Sequence, residues 1–354
     1  MKLTFKHTAA MISVALTAGL SGCNFIGDSD PVFTEPAAKV QASGQATKYP
    51  LEGANVYACI VKSGCTTASE NTITASNGFL GQSITEGPDG SFEIELNSEA
   101  QGKNVVFRIL ANASTVVPDG QCDTSDGDCG QDLTGLELKT IAHVEPVSEG
   151  EVPTLSGVQA TVLSTLAVDI LEADESFDED TSTADLETKA KAASKGVAKM
   201  LGVDANLNAS TENFFKLALP AATSSNLSGA NENVKNLSMV NASFAKLTTT
   251  NSATMGAAIK EVATTIKNAV SNPSSVDTTT VATIKQLATV VKNETTANAS
   301  TTGVTAPTTK EPDDVTEDSI EEIAEETQDE VTGGGNGGTG GTGGTGGSTG
   351  GSNG

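Results

Sequence analysis

At Pro153 the spacing of apolar residues changes from two to three or four, and no other feature constrains so much of the chain. Before it, Ser91-Phe92-Glu93-Ile94-Glu95-Leu96 alternates cleanly, which puts Phe92, Ile94 and Leu96 on the buried face of a strand and Glu93 and Glu95 in water. Lys39 to Thr47, Ala54 to Val61, Asn104 to Leu110 and Leu136 to Val144 read as further strands. Asn77-Gly78, Gly87-Pro88-Asp89-Gly90 and Pro118-Asp119-Gly120 read as turns. After Pro153, Val158, Val162, Leu166 and Ile170 share one helical face. So do Leu186, Ala190, Ala193, Val197 and Leu201, between a capping box at Ser182/Asp185 and a stop at Gly202. A short helix is expected over Glu212 to Leu219, then three more carried by Val234 to Leu247, Met255 to Ala269 and Val281 to Val291. This order predicts an α+β multidomain chain: an antiparallel β-sandwich over residues 39–148, then an all-α domain over 154–294.

Residues 295–354 are expected to form a disordered tail. Glu311 to Glu330 holds eleven acids around Ile320 and Ile323, so at best one frayed helix is expected there, and Gly-Gly-Thr repeats follow from Gly333.

At the other end, Lys2 and Lys6 precede an apolar run from Ala9 to Leu20, followed by Leu20-Ser21-Gly22-Cys23. The run is too short to span a bilayer and has the build of an export signal. With a cysteine where cleavage should occur, the segment resembles the lipobox of bacterial lipoproteins. That resemblance implies removal of residues 1–22, a lipid anchor on Cys23, and a tether over residues 23–38. Asn24, rather than Asp, follows the cysteine, which by the same resemblance implies the outer membrane, on its periplasmic side or at the cell surface. Loss of Lys2 and Lys6 leaves 18 basic against 45 acidic residues, a net charge of −27. Such a surface repels nucleic acid and anionic head groups, so the membrane contact rests on the acyl chains.

Cys59, Cys65, Cys122 and Cys129 form two close pairs, which in an exported chain reads as two disulfides. Three pairings are open; Cys59–Cys65 with Cys122–Cys129 is the first choice. The second pair brackets Asp123, Asp126 and Asp128, with Asp132 just beyond. These four carboxylates read as a solvated acidic loop, with a Ca2+ site as the alternative. It is not an EF-hand loop, since counting from Asp126 the required glycine is Gln131.

Ser43-Gly44-Gln45-Ala46, Pro50-Leu51-Glu52-Gly53-Ala54-Asn55-Val56 and Thr85-Glu86-Gly87-Pro88-Asp89-Gly90-Ser91-Phe92 resemble the carboxypeptidase regulatory-like modules, small transthyretin-like β-sandwiches. The resemblance spans roughly residues 39–110 and implies a non-catalytic spacer or binding domain. Cys59 to Phe79 is longer and more polar than that pattern requires.

Little chemistry is on offer. Without the signal, His143 is the sole histidine, and it sits in a strand run; Arg108 is the sole arginine. Ser-His-Asp catalysis, a zinc peptidase and an arginine anion clamp are each short of parts. There is no Trp to build a sugar platform beside paired carboxylates. The expected function is that of an envelope lipoprotein with a non-catalytic structural or binding role toward an envelope protein or a polysaccharide. A carboxylate-dependent hydrolase and a Ca2+-binding surface adhesion module are the alternatives. No cofactor is expected unless the acidic loop takes Ca2+.

Overall fold

The computed structural model describes residues 39–47, 50–118, 133–148, 151–249, 251–252 and 254–333. Its chain is mixed α+β, with strands in the first half and nearly all of the helix in the second.

Among the described residues seven strands make two sheets: β1 (Val40–Ala46), β2 (Asn55–Ile60), β3 (Phe79–Ile84), β4 (Ser91–Leu96), β5 (Asn104–Leu110), β6 (Glu137–His143) and β7 (Thr154–Ala160). Their orders are β4-β1-β7 and β3-β2-β5-β6. The alternation read in β4 is realised, with Phe92, Ile94 and Leu96 buried and Glu93 and Glu95 exposed. Between the sheets the rings of Phe92 and Phe107 lie 6.1 Å apart. Successive residues of a strand face opposite ways, so Val105, Phe107 and Ile109 share the inner side of β5, while Val106 and Arg108 face outward.

Two strands escape the sequence reading. β3 was not expected, and β7 lies where a helix was. Val158 belongs to the strand, whereas Val162, Leu166 and Ile170 belong to the helix α2 (Val162–Ala173) that follows. β7 is also the exception to an antiparallel sandwich, pairing parallel with β1 from Gln41↔Thr154 to Ala46↔Ala160. The register slips between Ala42 and Gly44, where a Cβ on Gly44 would fall 2.3 Å from the Val158 carbonyl oxygen. Only glycine fits that crossing.

Sheet gives way to helix at Thr161, eight residues later than expected, in a capping box. Ser164 N donates to Thr161 Oγ1 at 3.0 Å, and Thr161 N donates to Ser164 Oγ at 2.8 Å. Nine of the twelve residues of α2 are buried, which marks it as the central helix. It packs on β6, on α3 (Thr183–Leu201) and on α6 (Met255–Ser271). Asn241 of α5 (Glu232–Ser243) accepts from Val162 N and donates to the Thr47 carbonyl, tying α5 to the sandwich. One contiguous apolar core runs from Val40 to Val331, through the sheets and the helices alike.

The expected helix at Glu212 to Leu219 is instead a series of turns and extended chain. Phe214, Phe215, Leu217 and Leu219 are all buried there, so both sides of the segment are covered and no single helical face is needed.

Residues 295–333, expected to lack order, are folded. The helix α7 (Thr278–Thr302) buries Thr295 and Asn298 and stops at Gly303. An acidic helix α8 (Glu317–Thr332) opens with the capping box Thr316/Ser319 and buries Ile320, Ala324, Thr327 and Val331. It lies on α3 and α6. The acids and the thin apolar pair allow at best one frayed helix in isolation, but a narrow stripe of small and medium apolar residues suffices once a partner surface covers it. Residues 334–354 lie outside the described residues.

Candidate functional site

Of the expected site residues, Cys59 and Cys65 are brought together, with sulfur atoms 1.97 Å apart and Cα atoms 5.5 Å apart. Cys23, Cys122, Cys129, Asp123, Asp126, Asp128 and Asp132 lie outside the described residues. Among the described residues no group of three or more His, Cys, Asp or Glu side chains is placed to hold a metal ion.

The disulfide explains the long polar segment after β2. Cys65 sits in a one-turn helix α1 (Gly64–Thr67), and the Asn77 side chain accepts from Gly64 N at 2.8 Å. The segment lies over the outer face of the four-stranded sheet and closes a small cluster of Tyr57, Cys59, Cys65 and Ile73. Arg108 fastens it from below. Its Nη1 donates to the Cys65 and Ala68 carbonyls at 2.7 and 2.9 Å, and its Nε to Glu137 Oε1 at 2.6 Å. A lone arginine is thus committed to holding a loop.

One opening in the surface lies at the seam between the sheets. β6 and β7 are each an edge strand, and an isolated bridge pairs Lys139 of β6 with Thr161, just past the end of β7. Phe215 wedges the seam, its carbonyl accepting from Gln159 N at 3.3 Å. Beyond it a groove of about 220 Å³ runs between the edges and α3, lined by Ile141, His143, Leu155, Gly157, Leu186 and Phe215. Its floor is apolar and its rim charged. Glu187 Oε2 accepts from Lys216 Nζ at 2.5 Å and from Asn213 Nδ2 at 3.0 Å. Burial alone would raise the Glu187 pKa; those two bonds more than reverse this and hold it below the usual carboxylate range.

His143 is in the strand, as expected, and at the groove. Its Nδ1 shares a hydrogen bond with Asn104 Oδ1 at 3.0 Å. Asn104 is itself fixed by donating to the Asp178 and Thr181 carbonyls at 3.0 and 2.8 Å. The ring is therefore oriented by the sheet and the loop after α2, while Nε2 looks toward Glu145 Oε2 at 4.0 Å. Sequence reasoning placed His143 on a strand but missed the groove, because the groove needs β7, which the helical spacing had hidden.

Two strand edges and an apolar floor can take an extended chain, with main-chain groups pairing along Ile141–His143 or Leu155–Val158 and side chains entering the floor. Comparisons with protein-family models, curated proteins and solved structures give no match.

Proposed function

We propose that this chain is an envelope lipoprotein, acylated at Cys23 and held at the outer membrane, with a non-catalytic binding role. In this reading its sandwich is a carboxypeptidase regulatory-like module elaborated by β7 and by the helices. The groove between β6 and β7 takes an extended segment of another envelope protein.

The observation that carries the reading is the Cys59–Cys65 disulfide, an oxidising-compartment feature downstream of a lipobox-like start. Charge supports the choice of partner. At −27 without the signal, the chain repels phosphate-bearing polysaccharides and favours a neutral or basic peptide.

Two experiments test this. Fatty-acid labelling of the full chain in a Gram-negative host should mark the wild type and not Cys23→Ser, which should leave the membrane fraction. A photo-crosslinker at the exposed Ser156, in the groove, should capture a defined protein in intact envelopes that a probe at the exposed Thr264 does not. Capture of saccharide only, or identical products from both positions, would discard the peptide groove. An unlabelled wild type would discard the anchor.

A further inference from the structure

A second polar cluster lies between β6 and α2, away from the groove. Lys139 Nζ is 2.8 Å from Asp169 Oδ1 and 3.6 Å from Glu172 Oε2, and the three side chains are 15%, 16% and 10% exposed. The spacing of three along α2 puts both carboxylates on the face turned to the sheet. The Lys139 backbone is fixed on both sides, its N–H donating to Thr165 Oγ1 at 2.8 Å and its carbonyl accepting from Ser164 Oγ at 2.7 Å. An ion pair needs one carboxylate, and Asp169 provides it. Glu172 is surplus, and its Oε1 is buried without a hydrogen-bond partner among the described residues.

We propose that Lys139 and Asp169 condense to an intramolecular amide, with Glu172 as the proton-transfer group, making a modification site that staples β6 to α2. The 2.8 Å contact sets Lys139 Nζ beside the Asp169 carboxyl group, so the two reacting groups meet without a search through solvent. Burial, and then Asp169, raise the Glu172 pKa above the usual range, against Lys139 and Lys267, so its carboxyl is biased toward the protonated form. Burial lowers the Lys139 pKa, but Asp169, Glu172 and Glu137 more than reverse this. The condensation begins with transfer of one proton from the Lys139 ammonium to the Asp169 carboxylate that it touches at 2.8 Å.

The neutral nitrogen then attacks the Asp169 carboxyl carbon. Glu172 protonates the departing hydroxyl and takes the second proton from the nitrogen. One C–O bond breaks, one C–N bond forms, one water leaves, and nothing is oxidised or reduced. Exclusion of bulk water favours condensation over the reverse hydrolysis. By contrast, Lys195 and Glu326, 43% and 42% exposed, stay an ordinary ion pair.

Intact-mass measurement of the purified, reduced and denatured chain tests the proposal. The expected result is a deficit of one water against the processed sequence with its acyl groups counted, and a branched peptide joining Lys139 to Asp169 after digestion. Lys139→Arg, which keeps the charge but cannot condense, and Glu172→Gln should both show the full mass. Wild type at full mass, with the two peptides recovered separately, overturns the proposal. A deficit that persists in Lys139→Arg overturns it as well.

Discussion

Gly196 of α3 lies directly beneath Thr327 of α8, so close that a Cβ on the glycine would stand 2.4 Å from the threonine methyl and hydroxyl. The two helices meet there at a distance that no side chain on α3 would allow. Gly196→Val should therefore push α8 off, at a cost of about 1–3 kcal/mol, the range for overpacking a fitted contact. Hydrogen exchange over residues 317–332 should rise in this variant while the strands keep their protection.

The lysines facing α8 contribute less than they suggest. Lys195 pairs with Glu330 at 2.6 Å and Lys199 pairs with Glu326, but the side chains are 23–43% exposed. Such pairs give about 0.2–1 kcal/mol each and weaken with salt. Ile320 is 1% exposed, and its removal should cost about 2–4 kcal/mol. Urea denaturation should show Ile320→Ala losing severalfold more stability than Lys199→Ala.

Joint replacement of Cys59 and Cys65 by alanine should lower stability by about 2 kcal/mol, the chain-entropy value for so short a loop. Both cysteines are fully buried, so the loss should be local, with protease cleavage appearing in residues 61–79 before the sheet unfolds.

Arg108→Met should cost more, about 3 kcal/mol, because it leaves the Glu137 carboxylate and the Cys65 and Ala68 carbonyls without their donor. Arg108→Lys should recover only part, since one ammonium cannot reach all three acceptors in the same geometry. Thermal melts of the two variants check the order.

Acid should act through Asp174, whose side chain is 4% exposed. Burial raises its pKa, but Lys189 Nζ at 2.7 Å and the Ser176 amide and hydroxyl at 2.9 Å more than offset this, leaving it below the usual range. With the folded value below the unfolded one, the stabilisation is complete above pH ~4 and is lost as pH falls through the folded value. The stability gap between wild type and Asp174→Asn should close across that acidic window in urea titrations.

What the sequence made legible was whatever depends on local period. The strand of Phe92, Ile94 and Leu96, the cap at Ser182 and the stop at Gly202 follow from spacing alone. β7 did not, because four-residue spacing from Val158 to Ile170 suits a helix and only the partner β1 makes Val158 a strand residue. α8 reads as at best a frayed helix for the same reason, its apolar stripe being too thin without α3. The disulfide of Cys59 and Cys65 was readable from spacing, but the loop it pins over Arg108 was not. The groove at His143 and the cluster at Lys139 both join β6 to segments after Pro153, contacts that no short window contains.

The parallel pairing of Gln41 with Thr154 also sets a timetable. Synthesis delivers β1 first, and its second edge must stay bare until more than a hundred further residues have been made. Contacts so distant along the chain form slowly, and an open edge invites other chains. Products that end before residue 154 should therefore be sticky, and the nascent protein should lean on holding factors until its seventh strand arrives.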